Sequence, residues 1–180
     1  RPVVLMDHWR GKTVQPVSQG KCGGAWHPHR GCETVTVAWD GSVAHRDNAG
    51  HAGIIGPGDV QWMTAGRGIF HEEYHEDEFT RRGGRMHMMQ LWVNLPRKDK
   101  ATSPAYQPLT SKQIPCVALA DGAGEVRVIA GSYQGSAGPA HTFTPIHMLD
   151  VRLTVDGRLP LSLPAHYNAL AVVTSGMVHV

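Results

Sequence analysis

The chain has 180 residues, of which 41% are hydrophobic and 18% are charged, and its formal net charge is +2. This composition is typical of a globular protein, and it excludes a fibrous or disordered chain and a strongly basic nucleic-acid-binding protein. A chain of this length buries roughly 70% of its unfolded surface, so it needs no disulfide or metal ion to fold. The unusual feature is the number of histidines, which is 12.

The cysteines and the hydropathy pattern indicate where the protein works. Cys22, Cys32 and Cys116 are an odd number with no CxxC spacing, which predicts neither a disulfide framework nor a cysteine zinc site. The sequence has no apolar run of about 18 residues, the length of a transmembrane helix, and nothing that resembles a secretory signal. We therefore expect a cytoplasmic protein in a reducing compartment, with no membrane and no direct nucleic-acid partner.

Short strands separated by Gly, Pro, Asn and Asp dominate the chain from residue 27 onward, which predicts an all-β sandwich or barrel. Strands are predicted over residues 34–39, 42–46, 52–55 and 60–64. The first two are separated by Asp40 and Gly41, a sequence typical of a hairpin turn.

A longer strand is predicted over residues 86–95, where Pro96 ends it. Its side chains alternate between two faces. The apolar face carries Leu91, Val93 and Leu95. The other face carries the polar or aromatic residues Gln90, Trp92 and Asn94. The pattern predicts a sheet with one packed side and one polar or ligand-facing side.

The second half of the chain suggests a domain boundary. Residues 96–115 are rich in proline and polar groups and are predicted to be a connector, whereas 126–129 form a strand. The Gly, Ser, Ala and Pro-rich segment 131–140 then predicts a complete β domain over 1–138 and the beginning of a second over 139–180. Because the chain starts at Arg1 and ends within an apolar run, we expect it to be part of a longer polypeptide.

A first histidine cluster begins at His27. In an extended strand, residues two apart point to the same side, so His27, His29 and Glu33 are predicted to share one face, with Gly31 leaving room between them. A second cluster begins at His71. If this segment is extended, His71, Glu73 and His75 share a face, and if it is helical, His71 and His75 do.

Together the clusters offer imidazoles and a carboxylate but no thiolate, a ligand set for Fe(II), Zn, Mn, Cu, Ni or Co. Each cluster also has an ordinary explanation: an HxH pair occurs on solvent-exposed strands, and residues 72–78 are an acidic run typical of a solvated loop. Their joint presence in a β-rich chain favours a metal site. His45 and His87 lie in predicted strands and could line the pocket, although packing or cross-strand pairing is the favoured explanation.

Three longer motifs resemble the pirin family of the cupin superfamily: HPHRGCETVTV (27–37), GPGDVQWMTAGRGIFHEE (56–73) and QLWVNLPRKDK (90–100). The resemblance implies two cupin (jelly-roll) β-barrels in tandem, a bicupin, with one metal ion, usually iron, in the first. It assigns the metal ligands to His27, His29, His71 and Glu73. Glu33, the fourth ligand in many other cupins, becomes an alternative ligand or a neighbour of the site. Cys32 stands where the family usually has Phe.

The resemblance implies a metal-dependent dioxygenase of the quercetin 2,3-dioxygenase type, which uses O2 to cleave flavonol-like substrates. Glu73 would then be the catalytic residue, because a carboxylate can accept the proton of the flavonol 3-hydroxyl. Core packing is the favoured interpretation of Trp39, Trp62, Met63 and Trp92, and the alternative is that some of them provide apolar walls for the planar substrate. The alternative that pirins suggest is a non-enzymatic, metal- or redox-sensitive regulator that binds a transcription factor or a metabolic enzyme.

Overall fold

The computed structural model describes residues 3–18 and 20–179, and these residues are nearly all in strands or loops. This confirms the all-β prediction. The helices are short: α1 (Asp77–Arg82) and two 3-10 turns at Arg97–Asp99 and Ala120–Gly122. None of the helices in the described part of the chain has the length and apolar character needed to cross a membrane.

The strands are β1 (Val3–Val14), β2 (Gly23–His29), β3 (Cys32–Asp40), β4 (Val43–Asp47), β5 (Ala52–Ile55), β6 (Val60–Thr64), β7 (Ile69–His75), β8 (Gly84–Asn94), β9 (Ala105–Leu109), β10 (Cys116–Ala118), β11 (Gly124–Ala130), β12 (Ser132–Tyr133), β13 (Ser136–Ala137) and β14 (Met148–Leu153).

Two antiparallel sheets form the body of the fold. The larger has five strands in the order β1-β8-β3-β6-β9, and the smaller has four in the order β2-β7-β4-β5. They face each other, since Thr36 and Gln90 of the large sheet reach Glu73 of the small one. Neither sheet closes on itself, so the molecule is a jelly-roll sandwich in which each strand presents alternate residues to the interior.

A third layer covers the other face of the five-stranded sheet. It includes the sheet β10-β11-β14, and Ile129 of β11 packs with Val35, Trp62 and Leu91 in one apolar cluster. Because β14 pairs with β11, strands from both sides of the predicted boundary at residue 138 share a sheet. The division into domains at 138 stays a prediction.

The chain crosses between the two main sheets at glycine corners. β3 pairs with β6 and β8, whereas β4 pairs with β5 and β7, so the predicted hairpin at Asp40-Gly41 is wrong. Gly41, with φ +86°, instead turns the chain from one sheet to the other. Gly31, with φ +70°, does the same between β2 and β3. Both backbone angles lie in the left-handed region that favours glycine.

Candidate metal centre

Three histidines meet at the interior of the small sheet. His27 and His29 lie two apart on β2, so both point inward, and His27 is the cross-strand partner of His71 on β7. One ligand nitrogen from each ring lies within 4.8 Å of the others. The ring centroids of His27 and His71 are 4.4 Å apart. The segment containing His71 is extended rather than helical.

The ring nitrogens of these histidines are free where a metal ion would need them. The Nδ1 atom of His27 lies 2.7 Å from the carbonyl oxygen of Ala25, which leaves its Nε2 available. Among the described residues, the buried Nε2 atoms of His29 and His71 have no hydrogen-bond partner. Buried polar atoms are almost always paired, so two such nitrogens call for a partner such as an ion or a water molecule. The three residues therefore fit a metal ion.

The electrostatic environment keeps two of these rings neutral. Burial lowers the pKa of His29 to about 4, and the nearby His27 adds to the effect. Burial lowers the pKa of His71 to about 3, with contributions from His29, His27 and His45. A ring with so low a pKa is uncharged at pH 7 and keeps a nitrogen lone pair, the form that binds metal ions.

Glu73 points into the same interior but is turned toward the opposite sheet. Its Oε2 atom accepts a hydrogen bond of 2.6 Å from Gln90 Nε2. Its Oε1 atom accepts bonds from Gln61 Nε2 and, at 3.4 Å, from Thr36 Oγ1. Among the described residues, one Glu73 carboxylate oxygen and one ring nitrogen each of His45 and His71 lie within 4.8 Å of one another. Glu73 forms no such set with His27 and His29. The structure thus brings together three of the four predicted ligands and places the fourth beside one of them.

Glu33 is on the wrong side of the sheet to join this cluster. It pairs with Thr64 and Val93, and its Oε1 accepts a 2.8 Å bond from Thr64 Oγ1 in the layer away from the histidines. The prediction that Glu33 shares a face with His27 and His29 is wrong, because alternation holds only within one strand. The corner at Gly31 separates β2 from β3 and reverses the orientation.

Two residues outside the predicted ligand set complete the surroundings of His71. His45 on β4 is 2% exposed, and its Nδ1 lies 3.2 Å from His71 Nδ1. Its Nε2 lies 3.2 Å from Oδ2 of Asp47. Burial opposes ionisation of Asp47, but hydrogen bonds from His51 and His45 outweigh it and lower the carboxyl pKa. The signal in the sequence was a histidine and an aspartate two apart in a buried strand.

The aromatic residues divide between the two faces of the large sheet. Trp92 lies edge-on to His29, with ring centroids 4.8 Å apart, and so borders the histidine cluster. Met63 is fully buried in a cluster with Cys32 and Tyr106. Trp39 and Trp62 instead pack in the apolar cluster on the other face, which confirms the core-packing interpretation for these two and contradicts the alternative that they line the site. The longest predicted strand does alternate as expected, with Gln90 and Trp92 facing inward.

The jelly-roll sandwich with imidazoles converging from β2 and β7 defines a protein of the cupin class. The pirin family model matches residues 1–93. The chain belongs to the pirin family.

Similar proteins agree in sequence and in fold. A Pseudomonas aeruginosa protein named "Putative quercetin 2,3-dioxygenase" is 49% identical over 99% of this chain and 62% of its own length. Pirin from Mus musculus is 40% identical over 99% of this chain and 57% of its own length. The crystal structure of quercetin 2,3-dioxygenase from Acinetobacter baumannii superimposes with a TM-score of 0.80, at 46% identity over 83% of this chain and 52% of that one. The chain therefore spans between half and two thirds of each relative.

Proposed function

We propose that this chain carries the metal centre of a dioxygenase of the quercetin 2,3-dioxygenase type, which uses O2 to open a flavonol-like substrate. The observation that carries the proposal is the convergence of His27, His29 and His71, whose Nε2 atoms are free. The names of the similar proteins from Pseudomonas aeruginosa and Acinetobacter baumannii support the reaction class.

His27, His29 and His71 would hold the ion, with Glu73 as the fourth ligand. Imidazole with carboxylate suits Fe(II), which we propose as the resident metal, although Zn, Mn, Cu, Ni and Co accept the same ligand set. When bound, the ion supplies Lewis acidity and a common binding position for substrate and O2. Glu73 lies two residues after His71 on the same face of β7, so its side chain is on the side of the sheet where the three rings lie.

Glu73 is also the proposed general base for the flavonol 3-hydroxyl. Its Oε1 already accepts hydrogen bonds from Gln61 and Thr36, whereas Oε2 accepts one, from Gln90. In the observed arrangement, in which Glu73 is not grouped with His27 and His29, Oε2 is the atom with a free acceptor position for the substrate proton, because a carboxylate oxygen has two such positions. The Tyr106 hydroxyl donates a 3.1 Å hydrogen bond to Gln61 Oε1, so the NH2 group of the Gln61 amide is the end that points toward Glu73.

The interior next to the histidines also suits a flat aromatic substrate. Trp92 on β8 of the large sheet stands edge-on to His29, and Met63 on β6 shares its row, with Thr34 of β3 between the two. Aromatic and thioether side chains bind planar rings by dispersion and sulfur–aromatic contacts. These groups would hold the substrate rings while the polar residues at Glu73 bind its hydroxyl end.

The decisive experiment combines metal analysis with turnover. We expect the wild-type protein to bind Fe(II) stoichiometrically, and His71→Ala to lose more affinity than the about 10–100-fold that removal of a ligand's hydrogen-bond partner causes. His141→Ala is the matched control, because His141 is exposed and its hydrogen bonds to the Gln107 side chain use the backbone atoms of His141, which the substitution keeps. Equal metal content in all three proteins would contradict the ligand assignment.

Turnover is then measured on protein of known metal content. Anaerobic quercetin should shift its absorption band on binding, and admission of air should bleach the band and release carbon monoxide. If the protein loaded in turn with Fe, Mn, Co, Ni, Cu and Zn leaves flavonols intact, the dioxygenase proposal is rejected. The non-enzymatic regulatory function implied by the name pirin then becomes the better hypothesis.

A further inference from the structure

A line of buried hydrogen bonds leads away from the proposed metal centre. His71 Nδ1 lies 3.2 Å from His45 Nδ1, and His45 Nε2 lies 3.2 Å from Asp47 Oδ2. The side chains of His45 and Asp47 are fully buried, and β4 pairs directly with β7 at this point. The line therefore runs Asp47, His45, His71, and ends at the free Nε2 atom of His71.

Asp47 determines which atom donates and which accepts in each hydrogen bond of this line. Its Oδ1 accepts the backbone N–H groups of Ala49 and His51, at 2.9 and 3.0 Å. Its Oδ2 lies 2.9 Å from His51 Nδ1 as well as close to His45. An ionised carboxylate only accepts hydrogen bonds, so the proton between Asp47 and His45 belongs to His45 Nε2.

The direction then passes through His45 to His71. A neutral imidazole that donates from Nε2 accepts at Nδ1, so His45 Nδ1 accepts the proton carried by His71 Nδ1. His71 Nε2 is left with a lone pair, next to His27 and His29. Both ring nitrogens of His45 are already used in this way. His45 is therefore suited to orient a ligand and not to serve as one, even though it groups with His71 and Glu73.

We propose that Asp47 and His45 are positioning residues that select the Nδ1-protonated tautomer of His71 and so hold its Nε2 ready for a metal ion. The inference rests on the proposed metal centre. Hydrogen-bond partners of this kind fix the tautomer and orientation of ligand histidines in metalloproteins, and their loss typically costs about 10–100-fold in metal affinity.

The packing around His45 holds its ring in the orientation that the line requires. Tyr106 stacks on it, with centroids 4.6 Å apart and an angle of 15° between the planes. Gly53 on the neighbouring strand leaves room for Tyr106, since a Cβ atom there would come within 2.4 Å of the Tyr106 hydroxyl oxygen. A ring clamped in this way cannot rotate to exchange its two nitrogens without disturbing Tyr106.

Asp47→Asn tests the proposal by reversing the direction in which protons are donated along this line of hydrogen bonds. The backbone N–H groups of Ala49 and His51 keep an acceptor at the Oδ1 position, so the amide NH2 group takes the Oδ2 position and donates to His45 Nε2. His45 then donates from Nδ1, and His71 must carry its proton on Nε2. We expect long-range 1H–15N spectra of the metal-free protein to show this exchange of tautomers, and Co(II) affinity to fall about 10–100-fold.

Asp59→Asn is the matched control, because the Asp59 carboxylate also accepts two backbone N–H groups, from Gly56 and Ser111, but lies outside the line. It should leave Co(II) affinity and the His71 tautomer unchanged. Asp47→Asn protein that binds Co(II) as tightly as wild type, with His71 still protonated on Nδ1, would overturn the proposal.

A second pair of variants covers the case in which Asp47→Asn does not fold. His45→Gln keeps a carbonyl oxygen able to accept from His71 Nδ1 and should bind Co(II) within a few-fold of wild type, whereas His45→Leu should lose about 10–100-fold. Equal affinities for the two, or an Nε2-protonated His71 in metal-free wild type, contradict the inference. Wild-type protein that binds no Co(II) instead contradicts the metal centre, and the tautomer of His71 still decides the role of Asp47 and His45.

Discussion

The two faces of the five-stranded sheet contrast sharply although the same strands build both. Adjacent rows across β6, β3 and β8 differ in polarity. The inward row is Gln61, Thr36 and Gln90, and the next row, facing the third layer, is Trp62, Val35 and Leu91. All six side chains are buried or partly buried, so exposure to water does not explain the difference.

The partner across each interface explains it. The inward row faces Glu73, whose carboxylate accepts hydrogen bonds from all three polar side chains. The outward row faces apolar residues of the third layer, including Ile129, so a polar group there would lose its water without gaining a bond. The contrast teaches that polarity in each row follows the group it faces: the Glu73 carboxylate for the inward row and apolar packing for the outward row.

Glu33 is the exception in the outer layer. It is 1% exposed, Thr64 donates to one oxygen, and the other oxygen has no partner among the described residues. Burial raises the pKa of this carboxyl, and the hydrogen bond from Thr64 only partly offsets the shift. The second Glu33 oxygen is thus buried without the pairing that the Glu73 carboxylate has at both of its oxygens.

The largest effect is expected from Trp62→Ala, which empties the centre of the outer layer. Trp62 has no exposed surface, and removal of a buried Trp costs about 3–5 kcal/mol in the free energy of unfolding, measured by urea denaturation. Metal affinity of the folded protein should not change, because Trp62 faces away from the histidines. Trp26→Ala is the control, since Trp26 is 46% exposed. Similar losses for the two variants would remove the distinction between the layers.

A medium effect is expected from Val35→Thr, which places a hydroxyl group in the outer row. Val35 is fully buried among apolar groups, so the hydroxyl has no partner there and its burial costs about 1–3 kcal/mol in stability. Val4→Thr on the exposed strand β1 is the comparison and should stay within about 0.5 kcal/mol of wild type. Urea denaturation measures both. A Val35→Thr protein as stable as wild type would show that the outer layer tolerates polar groups.

The smallest effect is expected from Thr36→Val, the reverse change one residue further along the strand. It removes the 3.4 Å hydrogen bond that Thr36 Oγ1 donates to Glu73 and the two that Thr36 Oγ1 accepts from Gln61 Nε2 and Gln90 Nε2, at 3.4 and 3.2 Å. The amides of Gln61 and Gln90 keep their bonds to the Glu73 carboxylate, so neither amide is left without a partner. The expected loss is about 0.5–1.5 kcal/mol in the free energy of unfolding. A larger loss than that of Val35→Thr would mean that the inner layer, not the outer one, limits stability.

Much of the fold and part of the site were predictable from the sequence. The alternation in residues 90–95 placed Gln90 and Trp92 on the inner face correctly, because alternation within one strand is a local property. The likeness to pirins is confirmed by the match over residues 1–93. The HxH motif and His71 do come together, since β2 and β7 are neighbours in one sheet.

The errors arise where local patterns were extended past a corner. Glu33 was placed with His27 by counting residues through Gly31, and Asp40-Gly41 was interpreted as a hairpin, but the chain changes sheets at both points. His45 was assigned to packing because no nearby motif connects it with His71. The two residues meet only because β4 pairs with β7.

By itself, the sequence determined the residue types and their order: a β-rich chain, the alternation within its longest strands, two histidine motifs and membership of the pirin family. Only the tertiary structure decided which faces meet. It directed Glu73 toward Gln61 and Gln90, turned Glu33 away from the histidines, and joined Asp47 through His45 to His71. The physical reason is that alternation fixes a side chain's direction only relative to its own strand, whereas the glycine corners and the pairing of distant strands set the direction of each strand's faces.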